Sequence, residues 1–243
     1  RKGTTEILKT FGETFKGRKD VELIASVENP YPYDGLKSTE ERVKFHNIDD
    51  SNIKFVDYVS GKDYVKYLQE GDVFLTCARS EGWNLPLIEA MSCGTPSIYS
   101  EWSGQLEFAE GKGIPVKIKG LIPANAEHKD FTGNYCEPDW EDLSKVMLDA
   151  VEEYKNNKIL ALVEAKQIHE DFNWEHVAEI ADQRLKKLFP TFAFVTTGNL
   201  GYMPVIEKMV QSLLEFSNQK VIVYGVDCDV PFDYPNVIKR RID

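Results

Sequence analysis

Residues Asp72–Ser100, which read DVFLTCARSEGWNLPLIEAMSCGTPSIYS, decide the fold of this chain. An apolar run that ends at Cys77 predicts a buried strand, and a polar loop over residues 78–84 follows it. Asn84 is suited to the N-cap of a short helix over Leu85–Ser92, and a second strand follows that helix. The stretch is therefore one strand–helix–strand unit of the kind found in parallel sheets.

The same alternation extends on both sides of this unit. Short runs of β-branched or aromatic residues alternate with amphipathic stretches, which is typical of parallel strands joined by helices. The sequence therefore predicts an α/β fold with a parallel sheet and helices on both of its faces. The predicted strands are Val21–Val27, Ile53–Val56, Val73–Cys77, Ser97–Tyr99 and Val116–Ile118, and the predicted helices before residue 138 are Thr4–Phe15, Ser38–Lys44, Asp63–Gln69 and Leu85–Ser92.

Three consecutive helices close the first predicted domain. They begin after Asp139, which is suited to an N-cap, and the last one ends at Pro190, so we place a domain boundary there and assign residues 1–190 to the first domain. Residues 191–243 contain a partial second strand–helix–strand segment. About fifty residues of this kind cannot close a hydrophobic core alone. We interpret them as the start of a second α/β domain, and packing on the first domain is the alternative.

Composition limits the class of function. The chain has 40 acidic residues against 29 lysines and arginines, for a net charge of −11, which argues against a nucleic-acid binder. The sequence contains no run of about 18 apolar residues, so it predicts no membrane span. The four cysteines have no C-x-x-C spacing, so we expect reduced thiols, no structural zinc and a cytoplasmic location. The chain opens on Arg1-Lys2-Gly3 without a methionine, and we interpret it as part of a longer protein.

The loop between the first strand and the helix is the predicted ligand site. In parallel α/β sheets ligands bind where strands end and helices begin, and free amides at a helix start favour an anion such as a phosphate. Glu81 lies in this loop. Glu89 shares a helix face with Leu85, and its side chain leans back toward the loop. Because the rest of the helix is apolar, we expect Glu89 to be buried against a partner such as a ribose diol. The alternative is that both glutamates are simply solvated.

The motif around these glutamates resembles retaining glycosyltransferases with the GT-B fold, in particular the large family four. That family carries two glutamates separated by seven residues, in a frame like S-E-G-(F/W)-x-L-P-x-x-E-A-M-x-x-G-T-P. Here the frame reads Ser80-Glu-Gly-Trp-Asn-Leu-Pro-Leu-Ile-Glu-Ala-Met-Ser-Cys-Gly-Thr-Pro96. Asn84 departs from the pattern, because the family often has a glycine there. The resemblance covers residues 1–189 and implies the Rossmann-like, C-terminal half of a GT-B fold.

The resemblance also implies roles for individual residues. The Arg1-Lys2-Gly3 element is similar to one whose lysine contacts the donor diphosphate, which implicates Lys2, and Glu81 would orient the transferred sugar. The family's partner arginine lies on an upstream strand that this sequence does not include. Glu89 would bind the ribose. The implied donor-binding residues are Glu89, Gly82, Trp83, Asn84, Leu85, Tyr58, Val59, Ser103 and Gly104. For Tyr58 and Val59, ordinary packing at a strand end is an equal alternative.

The implied reaction is transfer of a sugar, with retention at the anomeric carbon, from a UDP- or GDP-sugar to an acceptor hydroxyl in glycan or polysaccharide biosynthesis. No metal or other cofactor is implied. The glycan or lipid-linked acceptor would bind a preceding N-terminal domain that this chain lacks, so we expect the fragment to bind nucleotide without turnover. The location implied is cytoplasmic, with attachment to the inner membrane face left open for the intact protein.

Two other functions and one further motif stay open. A nucleotide-sugar binding module without activity would keep Glu89, and a nucleotide-sugar epimerase would use the same sheet edge without an acceptor. The segment from residue 192 resembles the opening of a GT-A glycosyltransferase domain. Its Asp227-Cys-Asp229 is similar to a metal-binding D-x-D, but it comes too early in that fold, so we interpret it as a solvated turn.

Overall fold

A computed structural model describes most of the chain, and it divides into two compact units, Arg1–Asn173 and Trp174–Asp243. The first unit contains the predicted site. The sequence predicted a boundary near Pro190 instead, so the last of the three closing helices falls in the second unit. The residues that the structure describes are 2–25, 39–49, 51–56, 61–124, 132–188, 193–216 and 218–242.

Parallel strands form the framework of the first unit. Strands β1 (Leu23–Ala25) and β2 (Ile53–Phe55) pair in parallel, with Leu23 opposite Ile53. Strand β4 (Ser97–Ser100) pairs in parallel with β3 (Phe74–Thr76) on one side and β5 (Ile114–Val116) on the other. The helices are α1 (Thr4–Thr14), α2 (Thr39–Phe45), α3 (Gly61–Glu70), α4 (Leu85–Ser92), α5 (Leu106–Ala109), α6 (Trp140–Glu152) and α7 (Tyr154–Asp171).

The central strand β4 packs against helices on both of its faces. Ile98 belongs to a buried cluster with Phe11 of α1 and Leu143 of α6. The next residue, Tyr99, belongs to a different cluster that includes Leu87 of α4 and Ile168 of α7. Because successive side chains of a strand point to opposite faces, the two clusters lie on opposite sides of the sheet. The predicted α/β class, with helices on both faces, is confirmed.

The structure adds an antiparallel ribbon that the sequence analysis missed. Strands β6 (Ile118–Pro123) and β7 (Asn134–Pro138) pair in antiparallel fashion, with an irregularity between Ile118 and Gly120. The sequence predicted one short strand over Val116–Ile118 instead. The ribbon has few buried residues on β6, so it lacks the clear apolar run from which the other strands were recognised.

Helix α6 begins where the sequence placed it. Asp139 is its N-cap, and the carboxylate accepts hydrogen bonds from the amides of Glu141 (3.0 Å) and Asp142 (3.2 Å). Burial alone would raise the pKa of Asp139, but these amides and Lys119 lower it below its usual value. The cap matters to the core because α6 contributes Leu143 and Met147, which pack against residues of α1 and the sheet.

The second unit has a small parallel sheet and its own apolar cluster. Strand β9 (Lys220–Val226) lies between β8 (Ala193–Gly198) and β10 (Val237–Ile242), and all three are parallel. Helix α9 (Met203–Phe216) buries Met203, Ile206 and Val210 in a cluster with residues of β9 and of the segment after it. Strand β10 was not predicted from the sequence, because Lys239, Arg240 and Arg241 leave it without an apolar run. Helix α8 (Trp174–Leu188) has no buried residue.

None of the helices in the described part of the chain has the length and apolarity needed to cross a membrane.

Replacing the N-cap of α6 tests how this helix is held. We expect Asp139→Ala to lower the free energy of unfolding by about 1 kcal/mol, because two amides of the first turn lose their acceptor. The matched control is Asp149→Ala, at an exposed position of the same helix, where we expect a change within about 0.5 kcal/mol. Urea denaturation followed by circular dichroism measures both. Equal losses in the two variants would show that the cap contributes nothing specific.

Candidate functional site

The loop over residues 78–84 joins the end of β3 to the start of α4, at the carboxyl edge of the parallel sheet. Cys77 and Ala78 are buried where the strand ends, and the loop then becomes more exposed toward Gly82 and Trp83. Asn84 returns to the interior just before the helix. The loop is therefore anchored at both ends and open in its middle, which suits a ligand-binding loop on a rigid scaffold.

The segment over residues 100–109, here called the clasp, holds this loop through backbone atoms. Ser100 Oγ donates to the carbonyl oxygen of Ala78 at 2.6 Å. Ser103 Oγ donates to the carbonyl oxygen of Glu81 at 2.7 Å and accepts from the Glu81 amide at 3.2 Å. The Gly104 amide donates to the same Glu81 carbonyl oxygen at 3.1 Å. Ser103 and Gly104, predicted for the donor site, therefore contact the loop that carries Glu81.

Gly104 has no room for a side chain. A Cβ atom at this position would lie 2.0 Å from the carbonyl oxygen of Gly82 and 3.1 Å from that of Glu81. Real Cβ contacts are never as close as the first of these, so only glycine lets the two backbones approach. Gly82, in contrast, has open space around its Cα. The loop is thus packed tightly on the clasp side and unobstructed on the other.

Asn84 occupies the N-cap position of α4 in the left-handed conformation, with φ 68° and ψ 66°. The predicted position is correct, but the expected role is wrong, because the side chain makes no capping hydrogen bond. Instead its Nδ2 donates to Oε1 of Gln105 at 2.6 Å. Asparagine tolerates this conformation better than most residues and glycine tolerates it best, which explains how Asn84 can replace the glycine expected from the motif.

Trp83 packs on aromatic residues of the same unit. Its ring centroid lies 5.3 Å from that of Phe108, in the clasp, and 5.8 Å from that of Phe172 at the end of α7. These are ordinary separations for tilted and edge-on aromatic pairs. Trp83 keeps about a third of its surface exposed, at 37 %. The indole is therefore held by two aromatic contacts and stays partly accessible.

Lys2 and Glu81 form an ion pair at the loop. Nζ of Lys2 donates to Oε1 of Glu81, whose side chain is only 10 % exposed, whereas the Lys2 side chain is 56 % exposed. Gly3, the N-cap of α1, is in the left-handed conformation, and a Cβ there would lie 2.4 Å from the carbonyl oxygen of Cys77. The start of α1 is therefore pressed against the end of β3, which brings the predicted pair of site residues together.

A second charged cluster lies beside this pair, and the sequence analysis missed it. Arg79 donates through Nε to Glu137 at 3.0 Å and through Nη2 to Glu6 at 3.1 Å. Its guanidinium lies 5.7 Å from the ring centroid of Trp140, whose Nε1 donates to Glu137 at 2.7 Å. Glu6 belongs to α1 and Glu137 to β7. Arg79 therefore ties both elements to the base of the loop.

The pKa values in this cluster follow from burial opposed by charge pairing. Burial by itself lowers the pKa of Arg79, but the hydrogen bond to Glu137 and the charge of Glu6 outweigh it and raise the pKa. Burial favours a higher pKa for Glu137, yet its hydrogen bonds with Arg79 and Trp140 lower the pKa below its usual value. Arg79 and Glu137 therefore stay charged at neutral pH, and Arg79 holds α1 and β7 at the base of the loop.

The buried thiols next to the loop are not suited to nucleophilic chemistry. Cys77 and Cys136 are both buried. Burial raises the pKa of Cys77 far above its usual value and that of Cys136 to about 11. Because the thiolate is the reactive form, neither residue supplies a nucleophile at neutral pH.

The expectation that Glu89 is buried is wrong. Glu89 lies on the exposed side of α4 with Leu85, which is 60 % exposed, and Pro86. The buried side of the helix carries Leu87, Ala90 and Met91 instead. The apolar composition of α4 suggested a helix that is buried all round, but a single helix on a sheet buries only one face. The Glu89 carboxylate is therefore solvated and needs no buried partner.

Of the remaining predicted positions, two lie outside the described residues and two lie in the second unit. Tyr58 and Val59 lie outside the described residues. Asp227 and Asp229, in the second unit, are exposed, and Asp229 lies 3.5 Å from Arg241. Gln105, like Arg79, was missed by the sequence analysis, because nothing in its sequence neighbourhood marks a glutamine as buried.

Solved glycosyltransferase structures resemble this fold. Sucrose-phosphate synthase from Thermosynechococcus elongatus matches with a TM-score of 0.56 at 20 % identity, over 78 % of this chain and 43 % of its own. HepE from Anabaena, in complex with UDP-glucose, matches with a TM-score of 0.56 at 15 % identity, over 77 % of this chain and 45 % of its own. At such identities the likeness shows the fold alone, and this chain spans less than half the length of either protein.

A third similar structure is itself a single domain. The C-terminal domain of the group 1 family glycosyl transferase LpcC from Francisella tularensis matches with a TM-score of 0.51 at 18 % identity, over 70 % of this chain and 79 % of its own. The fold thus matches the Rossmann-like domains of GT-B glycosyltransferases, as the motif implied. No curated protein matched the chain in sequence.

The sequence profile described as "Glycosyl transferases group 1" matches residues 1–137, more than half of the chain. This range includes Lys2, Glu81 and the whole motif through Pro96. The motif that first suggested the family, the α/β fold and the sequence profile agree. The chain therefore belongs to the group 1 glycosyl transferases.

Proposed function

We propose that this chain is the donor-binding half of a retaining glycosyltransferase, which transfers a sugar from a nucleoside diphosphate to an acceptor hydroxyl of a glycan or polysaccharide. The observation that carries the proposal is the Lys2–Glu81 ion pair at the carboxyl edge of the sheet, beside the start of α4. It places a cation and a carboxylate together at the edge where parallel α/β folds bind ligands.

Lys2 is suited to the donor diphosphate. Its side chain is more than half exposed, so a phosphate can reach it, and charge-assisted contacts between ammonium and phosphate oxygens are among the strongest hydrogen bonds in proteins. The same contact would stabilise the negative charge that develops on the leaving diphosphate. This is why we propose transfer without a metal ion. The choice of UDP or GDP as the leaving group rests on the family resemblance.

Glu81 is suited to the transferred sugar. An ionised carboxylate accepts hydrogen bonds from sugar hydroxyls, whereas its negative charge repels a phosphate. In the free protein its charge is satisfied by Lys2. When a diphosphate takes Lys2, Glu81 is released to accept hydrogen bonds from the sugar. The pair therefore exchanges one internal contact for two contacts with the donor.

Glu89 is proposed to bind the ribose from an open surface. It lies one helical turn after Leu85 on the exposed side of α4, and side chains of a helix lean toward its N-terminus, which here is the loop. An exposed carboxylate needs no partner in the free protein, because water solvates it until a ligand arrives. The UDP-glucose complex of HepE supports the ligand class, a nucleoside diphosphate sugar.

The ribose contact is tested by isothermal titration calorimetry of the chain with UDP and with GDP. We expect Glu89→Ala to weaken binding of the preferred nucleotide about tenfold or more, because two hydrogen bonds to a charged acceptor are lost. The matched control is Glu110→Ala, which removes an exposed glutamate after α5 and should leave the affinity unchanged. If both variants bind like the original chain, Glu89 is not part of the site.

The exchange of the ion pair is tested by comparing UDP with UDP-glucose. Glu81→Gln removes the charge that holds Lys2, so we expect UDP alone to bind at least as tightly as before. UDP-glucose should lose any advantage over UDP, so the ratio of the two dissociation constants should fall to about one. Lys2→Met should weaken both ligands about tenfold, whereas Lys2→Arg, which keeps the charge, should weaken them less.

Two results would contradict this assignment of roles. If Glu81→Gln weakens UDP and UDP-glucose by the same factor, Glu81 does not distinguish the sugar from the nucleotide. If Lys2→Met leaves the affinity for UDP unchanged at low salt, Lys2 does not contact the diphosphate.

A further inference from the structure

A buried chain of polar side chains links the end of β3, the clasp and the start of α4. Ser100 and Gln105 have no exposed surface, and Asn84 is 6 % exposed. Gln105 Nε2 donates to the carbonyl oxygen of Ser100, and Gln105 Oε1 accepts from Asn84. Ser100 Oγ in turn donates to Ala78. Each of these side chains is hydrogen-bonded, as polar groups buried in a protein interior need to be.

These polar side chains include that of Asn84, whose backbone conformation is unfavourable for most residues that carry a side chain. Asn84 is in the left-handed region, which glycine adopts freely and residues with a side chain adopt less readily. The side-chain amide of Asn84 donates to Gln105 and makes no capping hydrogen bond at the start of α4. Gln105 therefore favours the backbone conformation from which α4 begins.

We propose that Gln105 is a positioning residue for donor binding, which holds Asn84 in the left-handed conformation and thereby orients the 78–84 loop and the first turn of α4. The inference rests on the proposed function, because the donor is the ligand that would contact this loop. Gln105 is fully buried. Its effect passes through Asn84.

The position of Gln105 within the clasp supports this role. Ser103 and Gly104, directly before it, hold the backbone of Glu81, and Phe108, three residues after it, packs on Trp83. These contacts fix the middle of the loop and are made to residues other than Asn84. Gln105 contacts Asn84 at the end of the loop, where the backbone enters helix α4.

The experiment measures the affinity of the full chain for UDP by calorimetry, for four variants, at a temperature well below the midpoint of thermal unfolding of each. Gln105→Met keeps the size of the side chain but removes the acceptor of Asn84, and we expect about tenfold weaker binding. In the Asn84→Gly background the same change should alter the affinity less than about twofold, because glycine adopts positive φ without support. Asn84→Gly alone is the reference from which the effect of Gln105→Met in that background is measured.

The fourth variant, Asn84→Ala, keeps the Gln105–Ser100 contacts but disfavours the left-handed backbone, so it should weaken UDP about as much as Gln105→Met. If Gln105→Met does not fold, the comparison of Asn84→Ala with Asn84→Gly decides whether UDP binding depends on the left-handed conformation of residue 84. A purely structural role would lower the unfolding temperature in both backgrounds without changing the affinity of the folded protein.

Three outcomes overturn the proposal. Equal affinity of Gln105→Met and the original chain shows that the glutamine does not affect the donor. Equal weakening by Gln105→Met in both backgrounds, or equal affinities of the alanine and glycine variants at position 84, shows that it does not act through Asn84. If the original chain binds neither UDP nor GDP, the proposed function fails, and this inference fails with it.

Discussion

The close approach of two backbone segments determines the geometry of this site. The carbonyl oxygens of Glu81 and Gly82 lie against Gly104, where no side chain fits, and the amide of Gly104 donates to one of them. Because the interior is densely packed, a contact of this kind cannot be adjusted gradually. The loop that carries Glu81 therefore has one arrangement on the clasp, and this contact sets the position of Glu81.

Two charged clusters at the loop have different characters. Arg79 is 12 % exposed and bonded to two carboxylates from different elements, so it is committed to structure. Lys2 is exposed and pairs with the Glu81 carboxylate, so its contact can be exchanged for another anion at modest cost. The arrangement separates the cation that holds the scaffold from the cation that can meet a ligand, although the two lie at the same edge of the sheet.

The sequence predicted most of the first unit and less of the site. Strands β3 and β4 and helix α4 were recognised because their apolar runs and flanking glycine and proline are strong local signals. Glu89 was misplaced because an apolar composition does not reveal which face of a helix meets the sheet. Gln105 and the Arg79 cluster were missed because their partners are distant in sequence, and burial of a polar residue depends on tertiary contacts. The ribbon of β6 and β7 was missed because β6 carries little apolar pattern.

The tight fit of Gly3 between Cys77 and Trp140 has a consequence for how position 2 can vary. A side chain at Gly3 would meet the carbonyl oxygen of Cys77, with only 2.4 Å between that oxygen and a Cβ atom. Since this steric exclusion fixes the N-terminal end of α1, the placement of the helix does not depend on the side chain that precedes it. Sequence change at position 2 can alter the charge offered to solvent without shifting the helix. The backbone at Gly3 thus sets where the side chain of residue 2 begins, and the side chain itself, here Lys2, decides which charge meets the loop.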